Sequence, residues 1–213
     1  MKKESKRKLG YGALGYLTGE ATRAFIHEPG HWAMTKLVDL DPKVNLDPRI
    51  DFGYHGLIGG NTELWGYMEK GVNFKMIENI IASGGCAFNY LAGLGTGYIA
   101  RKIDKNTHPK TKAALTGFSI FNSIYPAFYS TVDYLNLAGN DFEWLNDGGI
   151  PFEVTIPLTA GISAALVYYN IKGYKDTVGK KVKRIEYNGM NWREKRKKWK
   201  EDKRELIDDF EEY

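Results

Sequence analysis

The sequence predicts an all-α polytopic membrane protein with about four transmembrane helices, a β-hairpin-like insertion after the first and a charged cytoplasmic helical tail. Four segments approach the ~20 residues that a bilayer-spanning helix requires; they are residues 9–37, 74–100, 113–132 and 150–171. The connections between them alternate in charge along the chain. The negative mean hydropathy does not contradict this fold class, because charged residues are concentrated outside the four segments.

The charge of the connections predicts the orientation of the helices. Five Lys and Arg residues precede residue 9, five lie within residues 101–112, and fourteen follow residue 171. Residues 133–149 contain four acidic residues and neither Lys nor Arg, and residues 38–73 are mixed and lean acidic. Cytoplasmic loops of membrane proteins carry an excess of Lys and Arg. We therefore expect a multi-pass protein of the cell membrane with both termini in the cytoplasm.

Three regions follow from this pattern. Residues 1–8 form a basic N-terminal segment, residues 9–171 a membrane-embedded core, and residues 172–213 a charged cytoplasmic tail. The tail has an apolar residue at every seventh position, namely Trp192, Trp199 and Leu206, and this repeat predicts a helix. Acidic residues are interleaved with the basic ones throughout the tail, which argues against a nucleic-acid partner.

The connection after the first segment has the alternation of a β-strand. Apolar and polar residues alternate around Val44 and Leu46 and again around Ile50 and Phe52, and Gly59-Gly60-Asn61 is a turn signal. Residues 41–67 are therefore predicted to form one or two β-hairpins.

Glycines recur at a spacing of four residues in two of the predicted helices. Gly15 and Gly19 form one pair, and Gly93 and Gly97 form the other. This spacing lets transmembrane helices approach one another backbone to backbone. We expect close helix packing at both pairs.

The stretch from Phe25 to Met34 contains the pattern H-E-x-x-H, in which His27, Glu28 and His31 are the defining residues. On a helix, residues i and i+4 lie one turn apart on the same face, so both imidazoles can reach one zinc ion. Glu28 then lies beside the open coordination position, where a metal-bound water needs a base. The alternative is a set of polar side chains that line a packed or wet interface.

Pro29 lies inside this motif and disturbs its helix. It lacks the N–H that would bind the carbonyl of Phe25, and proline inside a helix costs ~3 kcal/mol. Either the helix kinks at this point, or a new helix begins with Pro29 as its first residue.

Together, three stretches resemble the site-2 protease family of intramembrane zinc metalloproteases. H-E-x-G-H at His27–His31 is the most specific of them. Gly84-Gly85-Cys86-Ala87-Phe88-Asn89 is similar to the small-residue A-G-P-x-x-N pattern of the second core helix, with Gly-Cys where Gly-Pro is usual. Asn122-x-x-x-Pro126, followed by an aspartate, resembles the N-x-x-P…D-G pattern of the third. The resemblance covers residues 25–149, a little over half of the chain.

The resemblance implies a metalloprotease-like core that binds Zn²⁺ through His27, His31 and an aspartate. Three aspartates compete for the third position, because the family's aspartate usually follows the proline at a short distance. Asp133 closes the third helix, and Asp147 precedes two glycines. Asp141 lies in a G-x-D-x-x-x-L sequence that resembles the form found in divergent branches of the family, and we expect it to be the ligand.

The function implied is that of a zinc-dependent intramembrane endopeptidase. Glu28 would act as general base on a zinc-bound water, and Asn89 and Asn122 would orient the substrate. The expected partners are a membrane-protein or peptide substrate and the lipid bilayer. The competing hypothesis is a catalytically inactive, protease-like membrane scaffold that binds protein partners. A soluble zinc peptidase is a third class, which would require the charge asymmetry of the loops to be accidental.

Overall fold

The computed structural model describes residues 3–52, 60–103, 107–137, 141–185, 191–194 and 196–197. The described residues form six helices and one two-stranded antiparallel sheet. In chain order the elements are α1 (Lys3–Ala21), α2 (Arg23–Val38), β1 (Val44–Phe52), β2 (Gly60–Met68), α3 (Phe74–Lys102), α4 (Pro109–Tyr134), α5 (Asp141–Asp147) and α6 (Phe152–Ile185). The predicted helical fold with a β-hairpin after the first helical segment is confirmed.

The first predicted segment is divided into two helices, and the division does not lie where the proline suggested. α1 ends at Ala21 and α2 begins at Arg23, with Thr22 between them. α2 continues through Pro29 to Val38. Of the two alternatives for Pro29, the one in which a new helix begins there is therefore wrong, because a single proline removes one backbone hydrogen bond while the neighbouring ones remain.

The hairpin packs on the start of the bundle. β1 and β2 pair from Val44 opposite Met68 to Phe52 opposite Gly60. The inward side chains of β1 join residues of α3 in an apolar cluster, whose buried members are Val44, Leu46, Ile77 and Ile81. Residues 53–59, which include Gly59 of the predicted turn, lie outside the described residues.

Close helix packing at both glycine pairs is confirmed. A Cβ on Gly15 would collide with the backbone of Ala114, and one on Gly93 would lie 2.6 Å from Oγ of Ser123. The same is true where α2 crosses α3, because a Cβ on Gly30 would lie 2.6 Å from the carbonyl carbon of Gly84. Glycine is needed at these positions because the backbones of neighbouring helices are in contact.

One helix among the described residues is long and apolar enough to cross a bilayer, namely Phe152–Lys172 within α6. α2 is shorter, and glycine, hydroxyl, amide and ionisable residues reduce the hydropathy of α1, α3 and α4. Hydropathy therefore does not support the predicted four-span topology. A single helix of this kind is by itself a weak indication of membrane association.

The burial pattern of α6 is the reverse of that of a helix in a water-soluble protein. Its buried face consists of polar residues, namely Thr155, Thr159, Ser163 and Asn170. Its exposed face carries Val154, Leu158, Ile162 and Ile171. Across the described residues, more polar and charged side chains than apolar ones are buried.

α6 does not end where the predicted core ends. The helix extends past residue 171 to Ile185, so the region predicted as tail begins inside it. Trp199 and Leu206 of the seven-residue repeat lie outside the described residues.

The basic segments meet at one end of the bundle. Nζ of Lys110, at the start of α4, lies 5.2 Å from the ring centroid of Tyr11 on α1. Arg101, at the end of α3, stacks on the ring of Tyr169 on α6. The start of α1, the connection between α3 and α4, and the region around residue 170 are therefore neighbours, and the hairpin and α5 lie towards the opposite end.

Candidate metal centre

His27 and His31 lie one turn apart on the same side of α2. Their Nε2 atoms are 3.1 Å apart, and their rings meet edge to face with centroids 4.7 Å apart. Both side chains are buried, each with 6% of its surface exposed. α2 therefore presents both predicted histidine ligands at one point, although Pro29 lies between them.

Asp141 completes a triangle of ligand atoms with the two histidines. Its Oδ2 lies 2.8 Å from Nε2 of His27 and 3.1 Å from Nε2 of His31. The three residues form a group that could hold a metal ion. Tetrahedral zinc with bonds of ~2.0–2.1 Å separates its ligand atoms by roughly 3.3 Å. A small outward shift of the side chains is enough to convert the observed triangle into that geometry.

The second nitrogen of His31 fixes the orientation of its ring. Nδ1 of His31 donates a hydrogen bond of 2.8 Å to the carbonyl oxygen of Ile81. Because a carbonyl oxygen only accepts, the hydrogen is on Nδ1, and in the neutral ring the lone pair of Nε2 faces Asp141. Metal-ligating histidines almost always have such a second hydrogen bond, which fixes the tautomer.

Asn89 contacts the second ring nitrogen of His27, as the carbonyl of Ile81 does for His31. Its Nδ2 lies 3.0 Å from Nδ1 of His27 and donates a hydrogen bond of 3.0 Å to the carbonyl of Gly85. With the amide assigned in this orientation, His27 accepts at Nδ1 and carries its hydrogen on Nε2. A metal at Nε2 would move that hydrogen to Nδ1, and rotation of the Asn89 amide would then present its Oδ1, which has no hydrogen-bond partner, as the acceptor.

The chemistry of the three ligand atoms suits a metal ion. When both rings are neutral, the triangle of His27, His31 and Asp141 contains several lone pairs and only one hydrogen. Buried lone pairs that face one another without a hydrogen or a cation are costly, so this triangle takes up either a further proton or a metal ion. Imidazole nitrogen and carboxylate oxygen are ligands that zinc accepts, so these residues fit a zinc ion.

Gly85 creates the space in which the histidines meet. A Cβ at this position would lie 2.5 Å from Nε2 of His27 and 2.5 Å from Nε2 of His31. Real Cβ atoms essentially never approach side-chain atoms so closely. The two-glycine sequence of α3 therefore has two roles: Gly84 permits the crossing with α2, and Gly85 leaves room for the ligands.

Glu28 follows His27 directly and is held by the hairpin. Its Oε2 accepts a hydrogen bond of 2.8 Å from Oγ1 of Thr62 on β2. The Glu28 side chain is as buried as the histidines, and it lines the same cavity. Its carboxylate belongs to no group of described residues that could hold a metal, which leaves it available as a base.

A cavity of about 680 Å³ opens beside the triangle. Its volume lies in the range of ~300–1,000 Å³ typical of ligand pockets. α2, β2, α4 and α5 contribute to its wall. The polar and aromatic lining residues around the triangle and Glu28 are Arg23, His27, Glu28, His31, Thr62, Tyr125, Tyr129 and Asp141. The candidate ligands and Glu28 are thus accessible from a space that can accommodate part of a substrate.

Electrostatics keep Asp141 ionised. Burial by itself would raise the pKa of Asp141, but the positive charge that His31 carries when its Nε2 is protonated, together with hydrogen bonds from His27 and His31, outweighs this effect. The pKa of Asp141 is therefore lowered from its ordinary value. An ionised carboxylate is the form that binds a metal.

The other two aspartates considered as ligands lie elsewhere. Asp133 is buried, and its Oδ2 accepts hydrogen bonds from the backbone amides of Phe142 and Glu143. Asp147 is the last residue of α5 and is exposed. Among the described residues, Asp141 alone of the three belongs to the group with His27 and His31.

Asn89 and Asn122 do not reach the cavity in this structure. Both side chains are fully buried, and neither lines the cavity wall. Asn89 contacts His27, whereas Nδ2 of Asn122 donates to the carbonyl of Phe118, four residues earlier on α4. Direct contact of either asparagine with a substrate stays a prediction that the geometry does not support.

The structure adds residues to the site that the sequence did not indicate. The rings of Tyr125 and Tyr129 are stacked on α4 with centroids 5.5 Å apart, and both meet the ring of His27 edge to face. Their i, i+4 spacing was a signal that they share one helix face. Thr62 gave no such signal, because its role depends on how the hairpin packs against α2.

No protein-family model, curated protein or solved structure matches the chain. Its function therefore has to be inferred from the geometry of the site.

Proposed function

We propose that the chain is a zinc-dependent endopeptidase that hydrolyses peptide bonds of membrane-protein substrates within the bilayer. The observation that carries this proposal is the convergence of His27, His31 and Asp141 at the wall of a large cavity, with a separate buried carboxylate, Glu28, beside them. Two imidazoles and one carboxylate are a ligand set used by catalytic zinc sites, which keep a position open for water or substrate.

The roles of the residues follow from their positions. His27, His31 and Asp141 would hold zinc, which when bound polarises a carbonyl group and lowers the pKa of a water molecule from ~16 towards ~7. Glu28 takes the proton of the attacking water as general base and can return it to the leaving amine. Thr62 fixes the orientation of the Glu28 carboxylate before a substrate arrives.

The hairpin offers a means of holding an extended peptide. Gly60, Asn61, Thr62 and Leu64 of β2 line the cavity. Among the described residues β2 pairs only with β1, so its other edge has no strand partner. An extended peptide can add to such an edge through main-chain hydrogen bonds. This mode suits a substrate helix, which must unwind before its peptide bonds can be attacked.

The burial pattern of α6 supports a lipid environment. A water-soluble protein buries apolar side chains and exposes polar ones, whereas α6 does the opposite. In a bilayer, hydroxyl and amide side chains form hydrogen bonds between helices, and small residues allow close packing. Ser130 and Thr159 meet in this way at 3.0 Å, and Nδ2 of Asn170 donates to Oγ of Ser119.

The arrangement of charges supports a multi-pass topology with both termini in the cytoplasm. The contacts of Lys110 with Tyr11 and of Arg101 with Tyr169 gather the basic segments at one end of the bundle. Residues 133–149, which contain neither Lys nor Arg, follow α4 at the other end. This separation is the one that the positive-inside rule predicts for a protein of about four spans.

Replacement of Glu28 tests whether the protein is an enzyme or an inactive scaffold. Glu28→Gln keeps the shape of the side chain and removes the base, so we expect it to retain zinc and to lose at least ~10²-fold in cleavage of a co-expressed single-span substrate. Glu63→Gln, on β2 with its side chain outside the cavity wall, is the matched control and should cleave normally.

Two outcomes would overturn the proposal. Parental cleavage by Glu28→Gln would show that Glu28 is not the base. A parent protein that binds zinc yet cleaves none of a broad panel of single-span substrates would favour the scaffold, which has no need of Glu28.

A further inference from the structure

Asp141 is the first residue of a helix too short to position it. α5 has seven residues, Asp141–Asp147, and isolated helices below ~12–15 residues are marginal in water. The other two candidate ligands lie on α2, a helix of 16 residues that packs against α3. The place of the third ligand must therefore be set by contacts that α5 makes with the rest of the protein.

Asp133 binds the two residues that directly follow Asp141 in α5. Its Oδ2 accepts hydrogen bonds from the backbone amides of Phe142 at 2.6 Å and Glu143 at 3.2 Å. These N–H groups are among the first of α5, which have no partner inside the helix. A carboxylate at this end also interacts favourably with the helix dipole. Asp133 lies in the last turn of α4, so it joins the start of α5 to a helix of the bundle.

Other contacts hold α5 without fixing its first residue. Phe142 and Leu145 pack against Ala82 and Cys86 on α3. Near the other end, Nδ2 of Asn79 donates a hydrogen bond of 3.1 Å to the carbonyl of Gly148. Apolar contacts are non-directional, whereas the two hydrogen bonds to Asp133 fix the backbone immediately after the ligand.

We propose that Asp133 is a positioning residue of the metal centre, which holds the start of α5 so that Asp141 meets His27 and His31, and that it does not bind the metal itself. This inference rests on the proposed metal site but not on peptidase activity. It gives a defined role to an aspartate that the sequence left open as a ligand.

The test compares substitutions of Asp133 that change either the position of the acceptor oxygen or the negative charge of the side chain. Asp133→Asn keeps the length of the side chain and an acceptor oxygen, and Asp133→Glu keeps the charge but moves the carboxylate by one methylene. The side-chain oxygen of asparagine can still accept the hydrogen bonds from the amides of Phe142 and Glu143, without the charge. Asp147→Ala, which removes the exposed aspartate at the other end of α5, is the control.

The measurement is the zinc affinity of the full chain, determined by competition with a chromophoric chelator. We expect Asp133→Ala to weaken zinc binding by ~10–100-fold, the usual effect of losing an outer-shell partner. Asp133→Glu should weaken it by about 10-fold, and Asp133→Asn should remain within about 3-fold of the parent. With cobalt(II) in place of zinc, Asp133→Asn should retain the visible absorption spectrum of the parent.

The outcomes distinguish this inference from the metal site on which it rests. Parental affinity in Asp133→Ala and Asp133→Glu, together with loss in Asp141→Ala, would overturn the role of Asp133 alone. A loss in Asp133→Asn as large as in Asp141→Ala, with Asp133→Glu unaffected, would make Asp133 a ligand. Equal affinity in the parent and His31→Ala would remove the metal site and this inference together. If Asp133→Ala does not fold, the zinc affinities of Asp133→Asn and Asp133→Glu decide between these outcomes.

Discussion

Oγ1 of Thr62 on β2 lies 2.8 Å from Oε2 of Glu28 on α2 and donates a hydrogen bond to it. This contact joins the hairpin, on which we propose that the substrate lies, to the proposed base. A buried carboxylate without a hydrogen-bond donor is costly, and a rotating one would be a poor base. The hairpin therefore has a role in preparing Glu28 as well as in holding a peptide.

Removal of the Thr62 hydroxyl should impair catalysis while leaving metal binding intact. A hydrogen bond to a charged group contributes ~1.5–3 kcal/mol, which corresponds to roughly 10–160-fold. Thr62→Val keeps the shape of the side chain, so we expect a loss of this size in kcat/KM and an unchanged zinc content. Thr62→Ser keeps the hydroxyl and should stay within about 3-fold of the parent. A Thr62→Val protein that cleaves at the parental rate would show that this hydrogen bond is dispensable.

Substitution of Gly85 should abolish the metal site through steric exclusion. Gly85→Ala places a methyl group 2.5 Å from Nε2 of both histidines, so the rings must leave the positions in which they face Asp141. We expect at least ~100-fold weaker zinc binding, beyond the effect of losing one outer-shell contact. The measurement is zinc content after dialysis against a chelator.

Gly95→Ala is the control for this experiment. Gly95 also lies on α3, and a Cβ there meets nothing within 4 Å. Alanine is ~1 kcal/mol more favourable than glycine inside a helix, so this variant should keep its zinc and be slightly more stable. Zinc loss in both variants would mean that α3 itself, and not the space at Gly85, is being disturbed.

The parts of the fold that the sequence predicted are those with local causes. The beginning of α3 at Phe74 and the pairing of the hairpin follow from runs of apolar residues and their alternation. The two histidines share a helix face because of their spacing, which Pro29 does not interrupt. Each of these features depends on residues close together in the chain.

The parts that the sequence did not predict depend on contacts between distant residues. α5 is too short to show a helical period, and its capping group, Asp133, lies on another helix. The hydrogen bond between Thr62 and Glu28 spans 34 positions. The division at Thr22 has no proline or glycine to mark it. The third ligand was chosen from a family resemblance because spacing alone left three aspartates open.

Labelling of introduced cysteines should place the two ends of the bundle on opposite sides of the membrane. His108 lies at the start of α4, and Leu137 follows the end of α4, where it is exposed. A membrane-impermeant thiol reagent added to intact cells should label Leu137→Cys but not His108→Cys, which should react only after permeabilisation. Native Cys86 is buried and should react with neither treatment. Labelling of both introduced cysteines from one side would contradict the multi-pass topology.

A charge introduced on the apolar face of α6 should distinguish a lipid environment from water. Leu158 is 57% exposed and lies between the polar residues that face the bundle. At an exposed position of a soluble protein, Leu158→Arg would change stability by about 0.5 kcal/mol or less. At the centre of a transmembrane helix, arginine costs ~2.5–3.5 kcal/mol on insertion scales.

Leu158 lies four residues from the middle of the Phe152–Lys172 segment, so those costs are an upper limit, and we expect Leu158→Arg to reduce the ratio of inserted to translocated α6 by up to roughly 70–370-fold relative to the parent. The measurement is the distribution of α6 between inserted and translocated forms in a glycosylation reporter, followed by membrane fractionation of the full chain. Leu40→Arg is the control, because Leu40 is still more exposed but lies in the turn between α2 and β1, outside every helix. Because arginine in an aqueous connection meets no hydrocarbon, this variant should behave as the parent. Equal behaviour of Leu158→Arg and Leu40→Arg, with both proteins folded and recovered from the soluble fraction, would show that water and not lipid covers α6.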